Sequence, residues 1–114
     1  MLTPVQDLLK IVRPNQRCLT ALQAKTEIEQ NQGLLIDVRE PAEFQAKAAP
    51  KAVNIPRGLL EFKLPELEKD AQRPIYVHCA AGGRAVFAAE QLTRLGYQNV
   101  SVITCKADEV CQVF

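Results

Sequence analysis

Three features of the sequence predict an α/β sandwich built around a small, mostly parallel sheet. The short apolar runs Leu34-Leu35-Ile36-Asp37-Val38, Ile75-Tyr76-Val77-His78 and Val100-Ser101-Val102-Ile103 lack the strict alternation of a half-exposed strand, as strands buried on both faces do. Between them lie segments whose apolar residues recur at helical spacing. Glycine and proline punctuate the joins at Pro14, Gly33, Pro41, Pro74 and Gly96. Strands alternating with helices along one short chain favour a parallel sheet with helices on both faces.

At the start, Thr3-Pro4 reads as an N-cap followed by proline at the first helical position. Val5, Leu8, Leu9 and Val12 then recur at i, i+3, i+4 and i+7 on one apolar face, and Pro14-Asn15 stops the helix. Residues 1–16 therefore read as an amphipathic helix appended to a domain of residues 17–114. Cys18-Leu19-Thr20 is a short strand candidate, with Cys18 read as core packing. Thr20 and Gln23 have capping-box spacing, which predicts a helix over Ala21 to Gln30 ended by Gly33.

After the strand over Leu34 to Val38, Arg39-Glu40-Pro41 breaks the chain, and Pro41 to Ala46 is a short helix. Val53-Asn54-Ile55 is a brief strand between Pro50 and Pro56, and Leu59 to Leu64 is helical. Pro65 to Arg73 then reads as a charged connection leading to the strand Ile75 to His78. Ala85, Ala88, Ala89, Leu92 and Leu95 line one side of a helix that Gly96 ends. Val100 to Ile103 is the last strand, and the tail from Lys106 has room for one or two helical turns.

With 114 residues, 47% hydrophobic and 24% charged, the chain has the composition of one globular domain. A net charge of +1 without runs of like charge argues against a nucleic-acid or membrane-surface partner. The N-terminal stretch lacks the uninterrupted apolar core of a signal peptide, and the expected location is cytoplasmic. The four cysteines, Cys18, Cys79, Cys105 and Cys111, match no zinc or Cys-x-x-Cys pattern. Their even number would allow two disulfides, but the absence of an export signal favours free thiols.

The richest stretch chemically is Ile75-Tyr76-Val77-His78-Cys79-Ala80-Ala81-Gly82-Gly83-Arg84-Ala85. A buried strand ends in a cysteine, small residues follow, and an arginine opens a helix. The small side chains leave the loop amides free to turn inward, and a ring of amides closed by a helix N-terminus is an anion cradle. Amide dipoles and a nearby guanidinium would stabilise a charged sulfur at its base. Asp37-Val38-Arg39 and His78-Cys79 both stand at the carboxyl ends of strands, where open parallel sheets bind ligands. Asp37 and Arg39, with Glu40 and Glu43 nearby, are expected to form a buried ionic scaffold for the loop; Glu43 lies four residues after Arg39, within reach along a short helix. His78 is expected to be a hydrogen-bonded core histidine. Lys47, Lys51 and Arg57 are either a basic rim to the site or an ordinary solvated surface.

From about Leu34 to Val102 the chain resembles a single-domain rhodanese. The resemblance rests on Leu35-Ile36-Asp37-Val38-Arg39-Glu40-Pro41-Ala42-Glu43-Phe44, on Pro50-Lys51-Ala52-Val53-Asn54-Ile55-Pro56, and on His78 to Ala85 as the active-site loop, in that order. It implies a three-layer sandwich with helices on both faces of the sheet. It also implies a sulfurtransferase in which Cys79 takes a sulfane sulfur, carries it as a persulfide and passes it to a thiophilic acceptor. By the same resemblance, the amides of Ala80, Ala81, Gly82, Gly83, Arg84 and Ala85 would hold the persulfide and the donor's oxygens, and Arg84 would close the loop and help bind the anion. Such a cycle requires no metal, no cofactor and no general-base histidine. The donor would be a small anion such as thiosulfate, or a persulfide-bearing protein, since the loop carries no basic residue directly after Cys79. The chain departs from the pattern at Lys47-Ala48-Ala49 and at Thr104-Cys105-Lys106-Ala107, and it has no tryptophan.

Two other functions fit parts of this pattern. A non-catalytic rhodanese-like module that binds a partner protein would share the fold. A phosphatase or arsenate reductase of related fold would need a loop one residue longer than the four residues between Cys79 and Arg84.

Overall fold

The computed structural model describes all residues, 1–114. Helix α1 (Val5–Val12) leads into strand β1 (Arg17–Leu19), followed by α2 (Ala21–Asn31), β2 (Leu34–Asp37), α3 (Pro41–Ala46) and β3 (Val53–Asn54). The second half runs α4 (Leu60–Leu67), β4 (Ile75–His78), α5 (Gly83–Leu95), β5 (Val100–Ile103) and α6 (Ala107–Val113). The five strands form one sheet in the order β1-β5-β4-β2-β3, and every pairing is parallel.

The apolar runs become central strands because both of their faces are covered. Ile36, Ile75, Val77 and Val102 face one core, where Leu9 and Val12 of α1, Leu60 and Leu64 of α4, and Val86, Ala89 and Leu92 of α5 pack. Their neighbours Leu35, Tyr76 and Ile103 face the other core, beneath Ala21 and Ala24 of α2 and Val110 of α6. Successive strand residues point to opposite faces, so a continuous apolar run supplies both cores. The result is the three-layer α/β sandwich predicted from the sequence.

Several boundaries differ, for physical reasons. Helix α1 starts at Val5 with Pro4 as its cap, and no side chain caps it. Only Leu9 and Val12 of its apolar stripe are buried, whereas Val5 and Leu8 stay exposed. Cys18 is exposed rather than packed in the core, because β1 is an edge strand of three residues. Thr20 and Gln23 do form a capping box, but the left-handed residue ending α2 is Gln32 (φ 60°), not Gly33. Gly33 is required by space instead: a Cβ there would lie 2.6 Å from the Tyr76 ring and 3.1 Å from the Pro74 carbonyl oxygen. Helix α4 runs through Pro65 to Leu67, where a connection was expected. Burial of Leu60 and Leu64 anchors it, and the loss of one N–H donor is tolerated near its end, where the Glu68 N–H still reaches the Leu64 carbonyl. No helix is long and apolar enough to cross a membrane.

The strand order positions the site. The connection after β2 leads outward to β3, and the connection after β4 leads the other way, to β5. Adjacent strands whose connections diverge leave a crevice at their carboxyl ends. Asp37 and His78 pair in register at that edge, and Cys79 follows directly.

Candidate functional site

Cys79 sits at the carboxyl end of β4 and is almost fully buried, with 1% of its surface exposed. Its Sγ accepts hydrogen bonds from the Gly82 N–H at 3.1 Å and the Ala85 N–H at 3.3 Å. Gly82 makes this possible: at φ +100° it reverses the chain, so that the first turn of α5 comes back over the sulfur. Of the loop amides that the sequence suggested, these two are directed at Sγ. The sulfur thus lies at the N-terminal, electropositive end of a 13-residue helix. On its outer side the loop is tied down by the start of α6, where the Ala107 N–H donates to the Ala80 carbonyl at 3.0 Å.

Arg84 projects from the first turn of α5 and forms a two-pronged ion pair with Glu43 of α3, at 2.8 and 3.1 Å. The Arg84 hydrogen bonds, together with one from the Glu40 N–H, hold the Glu43 carboxyl at a pKa of about 2. The expected reach from Arg39 to Glu43 is replaced by a different pairing. Arg39 turns back onto Asp37, whose carboxylate accepts from the Arg39 main-chain N–H, Nε and Nη2 at 2.8–3.1 Å. Arg39 Nη2 also donates to the Lys47 carbonyl at 2.6 Å. The Asp37 side chain is fully buried and the Arg39 side chain nearly so. A buried carboxylate needs a partner more than an exposed one, which decides where the guanidinium goes. The supporting residues therefore form two ion pairs, Asp37–Arg39 buried at the carboxyl end of β2 and Glu43–Arg84 joining α3 to the first turn of α5.

His78 is in the core, but neither ring nitrogen has a hydrogen-bond partner, which corrects the expectation of a bonded histidine. The closest carboxylate oxygen, on Asp37, is 3.6 Å from Nε2. Burial pushes the His78 pKa down; Asp37 and the Cys79 main chain pull upward without meeting the ring in hydrogen-bond geometry. Burial therefore favours the neutral imidazole.

A cavity of about 410 Å³ opens beside Cys79. Ala80, Ala81, Gly83 and Arg84 form the loop side. The opposite wall comes from Val5, Gln6, Leu9 and Arg13, with Phe87 of α5 between. Sequence reading missed this wall. It identified an amphipathic helix, but nothing local states which part of the sheet that helix covers. The remaining surface clefts lie away from Cys79; two of them adjoin Gly33 and Leu34, or Pro74 and Asn99, at the amino end of the strands. Lys47 pairs with Asp108 and Arg57 with Glu61, and none of Lys47, Lys51 or Arg57 lines the cavity. All four cysteines are free; Cys105 Sγ accepts from the Ala21 N–H at 3.2 Å. No group of three or more His, Cys, Asp or Glu side chains is arranged to hold a metal ion.

Comparison with known proteins places this geometry in context. A family model described as a rhodanese-like domain matches residues 20–106. A putative mitochondrial thiosulfate sulfurtransferase of Schizosaccharomyces pombe is 37% identical over 82 residues, covering 62% of this chain and 58% of that protein. A sulfurtransferase of Allochromatium vinosum is 34% identical over 67 residues, covering 59% of this chain and 61% of that one. The chain thus spans about three fifths of the length of either relative. Among solved structures, the polysulfide-sulfur transferase homodimer of Wolinella succinogenes superimposes with a TM-score of 0.77 at 26% identity, over 94% of this chain and 81% of that one.

Proposed function

The chain belongs to the rhodanese-like domain family, and on that footing we propose that it is a sulfurtransferase carrying sulfane sulfur as a persulfide on Cys79. The observation that carries this reading is the pair of main-chain N–H groups, from Gly82 and Ala85, directed at one buried sulfur that opens onto a cavity. Donors at that position stabilise negative charge on Sγ, which the attacking thiolate bears and which returns to Sγ when the outer sulfur is passed on.

With thiosulfate as donor, the Cys79 thiolate attacks the outer sulfur, a new S–S bond forms, and the old S–S bond breaks with its electron pair leaving on sulfite. A nucleophile such as cyanide or a thiolate then attacks the outer sulfur of the persulfide, and Cys79 departs as the thiolate. No proton has to move in either step, so the buried His78 needs no part in them. A protein-borne persulfide would deliver sulfur by the same substitution. Glu43–Arg84 acts as a positioning pair for the carboxyl end of the loop, while Asp37–Arg39 ties the end of β2 to the Lys47 carbonyl.

The test is intact-protein mass spectrometry of wild type and Cys79→Ser after brief exposure to thiosulfate or to a protein persulfide, followed by cyanide. Wild type gains one sulfur and loses it to cyanide with release of thiocyanate, whereas Cys79→Ser gains none and keeps its fold. A one-sulfur gain that survives in Cys79→Ser moves the chemistry to another thiol. No gain in wild type with either donor retires the transfer reading.

A further inference from the structure

The cavity beside Cys79 has two cations on its lining, Arg13 and Arg84, and they are not equivalent. Arg84 is bound by both carboxylate oxygens of Glu43, so its charge is already balanced. Gly82 and Ala85 direct their amides to the sulfur itself. Arg13 forms no ion pair: the salt bridges of Arg17, Arg39, Lys47, Arg57, Arg73 and Arg84 leave it out. It is exposed at the end of α1, in line with Leu9 one turn earlier and Val5 two turns earlier. That line forms the outer wall of the cavity. Leu9 is pinned in the core at 5% exposure, and its Cδ1 would stand 3.7 Å from a Cβ placed on Gly83, so the helix is seated against the loop. Val5, by contrast, is 61% exposed and is available to an occupant. This wall lies outside the residues matched by the family model, which begin at residue 20.

We propose that Arg13 is the anion-recognising residue of the Cys79 cavity, and that with Val5, Leu9 and Phe87 it selects a sulfur donor whose anionic head is joined to an apolar body, an organic thiosulfonate in preference to inorganic thiosulfate. The negative head meets the one cation on the lining that no carboxylate has neutralised, and the apolar body lies along the side chains of α1 and Phe87. The sulfur step balances as for thiosulfate: the Cys79 thiolate attacks the outer sulfur of the thiosulfonate, an S–S bond forms on Cys79, and the donor's S–S bond breaks with its electron pair leaving on a sulfinate. The identity of the donor rests on the transfer reading above; the anion site at Arg13 does not.

Benzenesulfonate, which has the anionic head and the ring but no sulfur to transfer, separates the two. Titrated into isotope-labelled protein and followed by NMR, it is expected to shift the amides of Ala81, Gly83 and Gln6 and the Nε–H of Arg13. Arg13→Gln weakens its binding about two- to fivefold, the range of one exposed ion pair, and Arg13→Lys recovers part of that loss. Neutral benzenesulfonamide is insensitive to Arg13→Gln. Methanesulfonate, lacking the ring, binds about tenfold more weakly than benzenesulfonate. Absence of benzenesulfonate binding, shifts confined to residues outside the cavity, or equal affinity in wild type and Arg13→Gln overturns the site. Equal affinity for the two sulfonates overturns the apolar selection. Arg13-dependent binding, combined with no sulfur uptake on Cys79 from either benzenethiosulfonate or thiosulfate, keeps the anion site and retires the transfer reading. Faster uptake from thiosulfate than from benzenethiosulfonate overturns the donor preference alone.

Discussion

Gly82 and Gly83 are neighbours in the loop, and alanine at each should have opposite effects. At Gly82 the backbone has φ +100°, a region that an L-residue with a Cβ rarely adopts. Space is not the obstacle there: the nearest atoms to a new Cβ would be the carbonyl oxygen and Cα of Thr104, at 3.6 and 3.8 Å. The cost is therefore conformational, about 2–3 kcal/mol of backbone strain. Lower chain entropy in the unfolded state offsets about 0.4–1 kcal/mol of it. Gly82→Ala should thus destabilise by about 1–2.5 kcal/mol. Gly83 is the first residue of α5 and has no positive φ, and its added Cβ would touch only Leu9 Cδ1 at 3.7 Å, an ordinary contact. Gly83→Ala should stabilise by about 0.4–1 kcal/mol through the same entropy effect and better helix propensity. The two variants should differ by about 2 kcal/mol, which for a chain of this length separates their melting temperatures by about 10 °C. Thermal unfolding followed by circular dichroism, checked by urea midpoints, measures it. Equal melting temperatures, or a larger loss in Gly83→Ala, would refute the assignment of the loop reversal to Gly82. In Gly82→Ala, relaxation of the strain also pulls the residue 82 N–H away from Sγ, so sulfur uptake on Cys79 should slow.

The ion pairs and the buried histidine yield three further expectations. Glu43 keeps its charge in the folded protein down to a pKa of about 2, whereas in the unfolded chain it protonates near 4.3. Its contribution is present above that range and is lost as acid takes the pH from about 4.5 toward 2. With both side chains 37% exposed, solvent screening reduces it to about 1 kcal/mol. Glu43→Gln should flatten the acid limb of the stability curve by that amount, and identical curves would sink the idea. Arg39→Ala strands the Asp37 carboxylate in the core and should cost about 3–5 kcal/mol in urea unfolding; adding Asp37→Asn should restore part of the loss. A loss under about 1 kcal/mol for Arg39→Ala would mean that Asp37 is solvated. His78 resists protonation when folded, so the unfolded chain takes up a proton that the folded one refuses as the pH falls below about 6.5, and stability drops. His78→Leu should lessen that slope between pH 7 and 5 while costing less than about 1 kcal/mol at pH 7, because no hydrogen bond is lost. A penalty of about 3 kcal/mol or more would show that the ring is bonded to Asp37.

Much of this protein was determined by its sequence alone, because the relevant interactions are local or periodic. The apolar runs of β2, β4 and β5, the capping box at Thr20, and the cysteine–glycine–arginine spacing of the loop each carry their own structural instruction over a few residues. A parallel sheet then leaves its strand carboxyl ends on one edge, so the order of elements alone brings Asp37 and Cys79 together. Local signals misled where tertiary packing or burial outweighed them. Pro65 did not end α4, because Leu60 and Leu64 hold that helix in the core. Gly33 is glycine because Tyr76, distant in sequence, leaves no space for a Cβ. The choice of partner for each arginine is also a tertiary matter. Spacing offered Glu43 to Arg39, but the buried charge of Asp37 claimed Arg39 and left Glu43 to Arg84. The placement of α1 is the largest such decision. Its amphipathic stripe states that it must dock, while the shape of the surface formed by α5 and the loop decides where. That is why Arg13, silent in the sequence, lines the Cys79 cavity.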